Sequence, residues 1–235
     1  MNKIWRGTYT ESEPTDAQKP LRETLAEMTA NVESLIPADK LEPPLRAVDE
    51  LRASGAEQRI LQVGAKAPAF ELKDQKGRVV SSADLLTSGR MVVFFFRGRW
   101  DPYCMTTLEA WQARLPQMKA AGVHLVAISP QTMHHTEINA EQHKLTFPVL
   151  SDPGNAVARQ FGLVWRVPEY LQEHYRRIFI NLPQVNGDDS WELPLPGAFV
   201  IDRDGSVLYS EAHADFRVRP EPREVLAFAS ESARA

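Results

Sequence analysis

One unbroken apolar run, MVVFFF at residues 91–96, and a second buried-strand pattern, HLVAIS at residues 124–129, constrain this chain more than any other feature. A strand with one wet face alternates apolar and polar side chains. A continuous run needs apolar neighbours on both faces. The stretch between the two segments predicts a helix from Pro102 to about Ala120. Strands that alternate with helices call for an α/β sheet covered on both faces.

The remaining pattern extends that sheet. Ala69–Leu72 and Val79–Val80 read as short strands around the turn Asp74-Gln75-Lys76-Gly77. Ser82–Leu86, residues 132–145 and Asn155–Phe161 read as helices, and Phe147–Leu150 as a short strand. Ala198–Ile201 and Ser206–Glu211 flank Asp202-Arg203-Asp204-Gly205, a hairpin signal that makes the sheet mixed. Pro220–Ala229 reads as a closing helix. Between them, Pro168–Phe179 has helical character and Asn181–Leu195 reads as loop.

Ahead of residue 62 the texture is different, so residues 1–61 are expected to form a partly helical N-terminal extension and 62–235 the main domain. Residues 1–17 are polar and are expected to be loosely ordered. Leu21, Leu25, Met28, Val32 and Leu35 recur at helical spacing over residues 18–36. A second helix is expected over residues 43–54, with Leu45, Val48 and Leu51 inward and Gly55 at its end.

Composition narrows the function classes. The net charge of -4 provides no basic field for nucleic acid. No apolar run approaches the roughly 20 residues of a membrane helix, and the opening residues lack the apolar stretch of a signal peptide. A cytoplasmic protein without nucleic-acid or membrane partners is expected. Cys104 is the single cysteine. It has no partner for an intramolecular disulfide, so any redox cycle must borrow its second thiol from another molecule.

Cys104 lies in the segment RGRWDPYCMTTLEAW, residues 97–111, where a buried strand ends and a helix begins. Asp101 suits the N-cap and Pro102 the first helical position, which makes Cys104 the third helical residue. Unpaired N–H groups and the helix dipole there favour a thiolate. Arg97 and Arg99 lie just before the helix and add positive charge. The Asp101 carboxylate acts in the opposite direction. The balance predicts a lowered thiol pKa. Trp100 and Tyr103 flank the cysteine as candidate pocket walls, while Trp111 reads as packing. A free cysteine on a helix is also a common buried apolar residue, and the strand end, the cap and the arginines argue against that reading here.

From about Val63 to Phe228 the chain resembles peroxiredoxin-like proteins of the alkyl hydroperoxide reductase and thiol-specific antioxidant group. VGAKAPAFEL, with Pro68 and Phe70, resembles the family's opening strand. FFFRGRWDPYC resembles its active-site segment, FPVLSDPGNAVARQFGL the stretch after the second buried strand, and PGAFVIDRDGSVLYS the closing hairpin. Typical members carry Pro-x-x-x-Thr-x-x-Cys. Here Arg97 replaces that proline, Asp101 the threonine, and Cys104 keeps the peroxidatic position. WDPYC also resembles a Trp-Cys-Pro-Tyr-Cys variant with its first cysteine replaced by Asp101.

The resemblance implies a thioredoxin-like, three-layer peroxiredoxin fold and a thiol peroxidase that acts on a small hydroperoxide without a cofactor. The thiolate would be oxidised to a sulfenic acid, and an external thiol of the thioredoxin, glutaredoxin or glutathione type would reduce it. It also implies a homodimer. Family members use an arginine to fix the peroxide, and Arg97, Arg99 or Arg166 is expected to fill that role. Pro196 resembles the thioredoxin proline that is cis and faces the thiol. It is expected near Cys104, with its isomer open. A redox-inactive binding domain and a monothiol disulfide exchanger are the alternatives on this fold. No metal site is expected: His134 and His135 are adjacent on a helix and do not converge.

Overall fold

Arg90–Phe95 and Val123–Ser129 are adjacent parallel strands, in register from Arg90 opposite Val123 to Phe95 opposite Ile128. This computed structural model describes residues 19–230; the expectation for residues 1–17 lies outside them. In chain order the strands are β1 (Glu71–Asp74), β2 (Val79–Ser81), β3 (Arg90–Phe95), β4 (Val123–Ser129), β5 (Val149–Ser151), β6 (Val164–Arg166), β7 (Glu192–Pro194), β8 (Gly197–Ile201) and β9 (Val207–Ala212). The helices are α1 (Leu21–Leu35), α2 (Ala38–Ala53), α3 (Ser82–Ser88), α4 (Pro102–Ala120), α5 (Met133–Gln142), α6 (Ala156–Gln160), α7 (Glu169–Arg177), α8 (Leu182–Asn186) and α9 (Pro222–Ser230).

Seven strands form one mixed sheet in the order β2-β1-β5-β4-β3-β8-β9. β3, β4 and β5 are parallel neighbours, and β8 and β9 extend the sheet antiparallel. Period-two alternation explains why β3 has no polar residue after Arg90. Met91, Val93 and Phe95 enter the core on one face, with Phe161 and Phe199. Val92, Phe94 and Phe96 enter the other, with Leu108 and Trp111 of α4 and Val225 of α9. All six β3-run side chains are fully buried. Each contributes about 1.5–3 kcal/mol of transfer free energy. The expected three-layer arrangement and mixed sheet are the observed ones.

Several elements differ from expectation. β1 begins two residues later than the sequence suggests. α2 begins at Ala38, so Pro43 and Pro44 lie inside it. Their rings suit helical φ, and the carbonyls they leave unpaired belong to exposed Asp39 and Lys40. In α1 only Leu21 and Leu25 are buried, and Leu35 is exposed. The stretch read as loop, residues 181–195, contains α8 and β7, and β7 pairs antiparallel with β6. Strands of three residues are too short to print a period-two pattern. No helix among the described residues is long and apolar enough to cross a membrane.

Candidate active site

The carboxyl end of β3 delivers the chain into residues 96–100. Gly98 has φ 139°, and a Cβ there would lie 2.9 Å from Nε1 of Trp100, so glycine lets this turn fold tightly. Asp101 then caps α4: its Oδ1 accepts from the Tyr103 backbone N–H at 3.0 Å. Pro102 is the exposed first helical residue, and Cys104 is the third.

The thiol lies in a buried charged cluster. Cys104 Sγ donates to Asp101 Oδ2 at 2.9 Å. Arg97 donates to the same oxygen through Nε and Nη2, both at 2.8 Å. Nη2 of Arg219 lies 3.4 Å from both Asp101 Oδ2 and Cys104 Sγ. Backbone carbonyls of Phe216 and Val218 hold the Arg219 Nη1. The Arg97 guanidinium lies over the rings of Trp100, at 4.8 Å, and Phe216, at 4.7 Å. Its Nη1 reaches the Tyr175 hydroxyl at 3.5 Å. Cys104 is 0% exposed and Asp101 1%.

Burial decides the protonation of the sulfur. It pushes the Cys104 thiol up to about 11, and the Asp101 carboxylate adds to the effect. Arg219 and Arg97 oppose it without prevailing. The expected lowering is therefore reversed: the helix position is as read, but the sulfur is out of water beside a carboxylate. Burial would also raise Asp101, yet Arg97 and Arg219 hold it below the ordinary carboxylate value.

Of the sequence candidates, Arg97, Trp100, Asp101 and Cys104 converge. Tyr103 turns instead to α1, its hydroxyl 3.1 Å from Thr29 Oγ1. Arg99 turns away: its backbone N–H donates to Gln131 and its Nη2 to Gln142 of α5. Arg166 is exposed on β6, opposite Glu192, and does not reach the thiol. Pro196 is buried immediately before β8, and no peptide bond among the described residues is cis.

Arg219, Phe216 and Tyr175 were not identified from sequence. The strand pairing of the fold, not a sequence signal, places the first two. Gly197 pairs with both Phe95 and Ala212, so β9 ends at the same sheet edge as β3. Residues that follow Ala212 must therefore emerge beside the thiol. Tyr175 carries no such signal. It arrives on α7, whose buried face packs with Ala47 of α2 and with Trp191.

Comparison with known proteins bears on the family and the fold. The AhpC/TSA family model matches residues 63–210. A putative peroxiredoxin of Mycobacterium tuberculosis is 35% identical over 151 residues, which is 64% of this chain and 85% of the relative. Peroxiredoxin Bcp of Escherichia coli is 31% identical over 115 residues, 49% of this chain and 72% of the relative. Chloroplastic peroxiredoxin Q of Sedum lineare is 35% identical over 101 residues, 43% of this chain, and the match spans 53% of that relative's length. Among solved structures, peroxidoxin BcpB from Mycobacterium tuberculosis superposes with a TM-score of 0.57 at 23% identity, covering 72% of this chain and 96% of the other. With its thioredoxin-like fold and its cysteine at the start of α4, the chain belongs to the AhpC/TSA family.

Proposed function

We propose that this protein is a one-cysteine, thiol-dependent peroxidase that reduces hydrogen peroxide or an organic hydroperoxide through Cys104. The observation that carries the reading is the convergence of Arg97 and Arg219 on the Asp101–Cys104 pair at the start of α4.

Two buried guanidiniums face one carboxylate, so the cluster holds one uncompensated positive charge while the thiol is protonated. A thiolate neutralises it. Burial is the first cause of the raised thiol pKa, and peroxide and water that enter the site relieve it. The thiol proton then leaves to solvent, and the thiolate pairs with Arg219 Nη2, already 3.4 Å away. Sulfur attacks the terminal peroxide oxygen. The S–O bond forms, the O–O bond breaks, and the departing hydroxide or alkoxide takes a proton from water. Sulfur is oxidised to a sulfenic acid that keeps the hydroxyl hydrogen. The arginines stabilise the charge that develops on oxygen. Asp101 is a positioning residue: it caps α4 and aligns both guanidiniums.

One cysteine in 235 residues supports an external reductant. Its thiol condenses with the sulfenic acid, releasing water, and a second thiol resolves the mixed disulfide. A thioredoxin, glutaredoxin or glutathione type of donor belongs to this proposal, as do a cytoplasmic location, a homodimer, and residues 1–61 as an extension of a catalytic domain.

The test exposes purified protein to limiting hydrogen peroxide or an organic hydroperoxide and traps the sulfenic acid against time. The expected second-order rate far exceeds that of free cysteine thiolate. A rate no faster than free thiolate overturns the reading.

A further inference from the structure

Hydrogen-bond donors around Cys104 can be counted one by one, and most are spent. Arg97 Nε and Nη2 bind Asp101. Arg219 Nη1 binds two backbone carbonyls, and its Nη2 bridges Asp101 and the sulfur. The Tyr103 N–H binds Asp101 Oδ1. Three side-chain donors are unspent. Arg219 Nε and Trp100 Nε1 are buried without partners. The third is the Tyr175 hydroxyl. It accepts from Arg97 Nη1 at 3.5 Å, and its own proton has no acceptor among the described residues.

That hydroxyl donor is built into the site. Tyr175 is 4% exposed. Its ring packs against Trp100 at 5.3 Å between centroids and sits in one cluster with Leu171, Leu182 and Trp191. The hydroxyl is thus held toward Arg97 by rigid packing, and it interacts electrostatically with both Cys104 and Asp101. A buried hydroxyl with an unused proton costs free energy unless something accepts from it. The Arg97 contact is at the outer limit of a hydrogen bond and is easily exchanged for another. A peroxide oxygen is an acceptor of the required kind.

We propose that Tyr175 is a catalytic residue that donates a hydrogen bond to the departing oxygen of the hydroperoxide. This rests on the peroxidase reading of Cys104. As the thiolate attacks the terminal oxygen, the O–O bond breaks and negative charge gathers on the second oxygen. The phenol O–H points at that charge and keeps its proton, while water supplies the proton that completes the alcohol or water product. Burial raises the phenol above its ordinary value, so it remains a donor throughout the working pH range.

The test is Tyr175→Phe in the full chain, which removes one oxygen from a packed ring. Sulfenic-acid formation is timed with tert-butyl hydroperoxide, which departs as a basic alkoxide, and with peracetic acid, which departs as a stabilised carboxylate. Alkylation by iodoacetamide reads the same sulfur with no peroxide oxygen present. The expected result is a loss of about 100- to 1,000-fold with tert-butyl hydroperoxide, a much smaller loss with peracetic acid, and alkylation within twofold of wild type. Equal losses in all three reactions would show a packing role and overturn the proposal. So would a variant as fast as wild type with the alkyl hydroperoxide. A wild-type protein no faster than free cysteine thiolate overturns both this proposal and the peroxidase reading. Should the phenylalanine variant unfold, Tyr175→3-fluorotyrosine keeps the shape and strengthens the donor. It is expected to match or exceed wild type with tert-butyl hydroperoxide, and a tenfold loss overturns the proposal.

Discussion

Asp101 is the residue through which the site opposes its own reactivity. Its carboxylate accepts the thiol proton at 2.9 Å and, after burial, is the next cause of the raised Cys104 pKa. Asp101→Asn is expected to lower the thiol pKa and to raise iodoacetamide alkylation at neutral pH by at least about tenfold. The same change leaves Arg97 and Arg219 buried without their counter-ion, a loss of about 3–5 kcal/mol in stability. A pH–rate profile and a denaturant titration measure the two effects separately. The thiol also makes stability depend on pH. In the unfolded chain it ionises near its ordinary 9.0, whereas in the fold it ionises at about 11. Above pH 9 the unfolded state binds fewer protons, so stability falls as pH rises. The loss between pH 9 and pH 11 is about 2 kcal/mol. Cys104→Ser is expected to lose that much less over the same interval, read by urea unfolding at each pH.

At the scale of elements, the cover over the site comes from three places. α1 lays Leu21 and Leu25 on Tyr103, one residue from the thiol. α7 brings Tyr175, and the segment after β9 brings Phe216 and Arg219. The outer attachments of α1 are exposed ion pairs, Arg22 with Glu224 and Glu33 with Arg217, and such pairs contribute little each. Its two buried leucines therefore supply most of its grip. Leu25→Ala is expected to weaken that grip by about 2–4 kcal/mol and to speed Cys104 alkylation several-fold at fixed pH. An unchanged alkylation rate would show that the thiol is reached by a route that does not involve α1.

For the whole molecule, the single thiol sets the products. Peroxide without reductant is expected to give trapped sulfenic acid and, at higher protein concentration, a disulfide-linked pair of chains on a non-reducing gel. An internally bridged monomer is excluded because Cys104 has no second cysteine to meet. The sheet that carries this thiol was legible in the sequence because burial on both faces leaves an unbroken apolar run, as at residues 91–96. The helix start was legible because a cap is local: Asp101, Pro102 and Cys104 are contiguous, and their geometry needs nothing from elsewhere. The three-residue strands β6 and β7 were not, since each is too short to show a period and exists only as a partner of the other. By itself the sequence determined a covered α/β sheet, one thiol, and the position of that thiol at a helix N-terminus. Tertiary structure alone decided what surrounds the sulfur. Arg219 is 115 positions away and arrives because β9 ends at the edge where β3 ends. Tyr175 arrives because α7 packs with α2. The sign of the thiol's pKa change was decided the same way. The free N–H groups of a helix start act at short range and favour the thiolate, whereas exclusion of water is collective and here outweighs them.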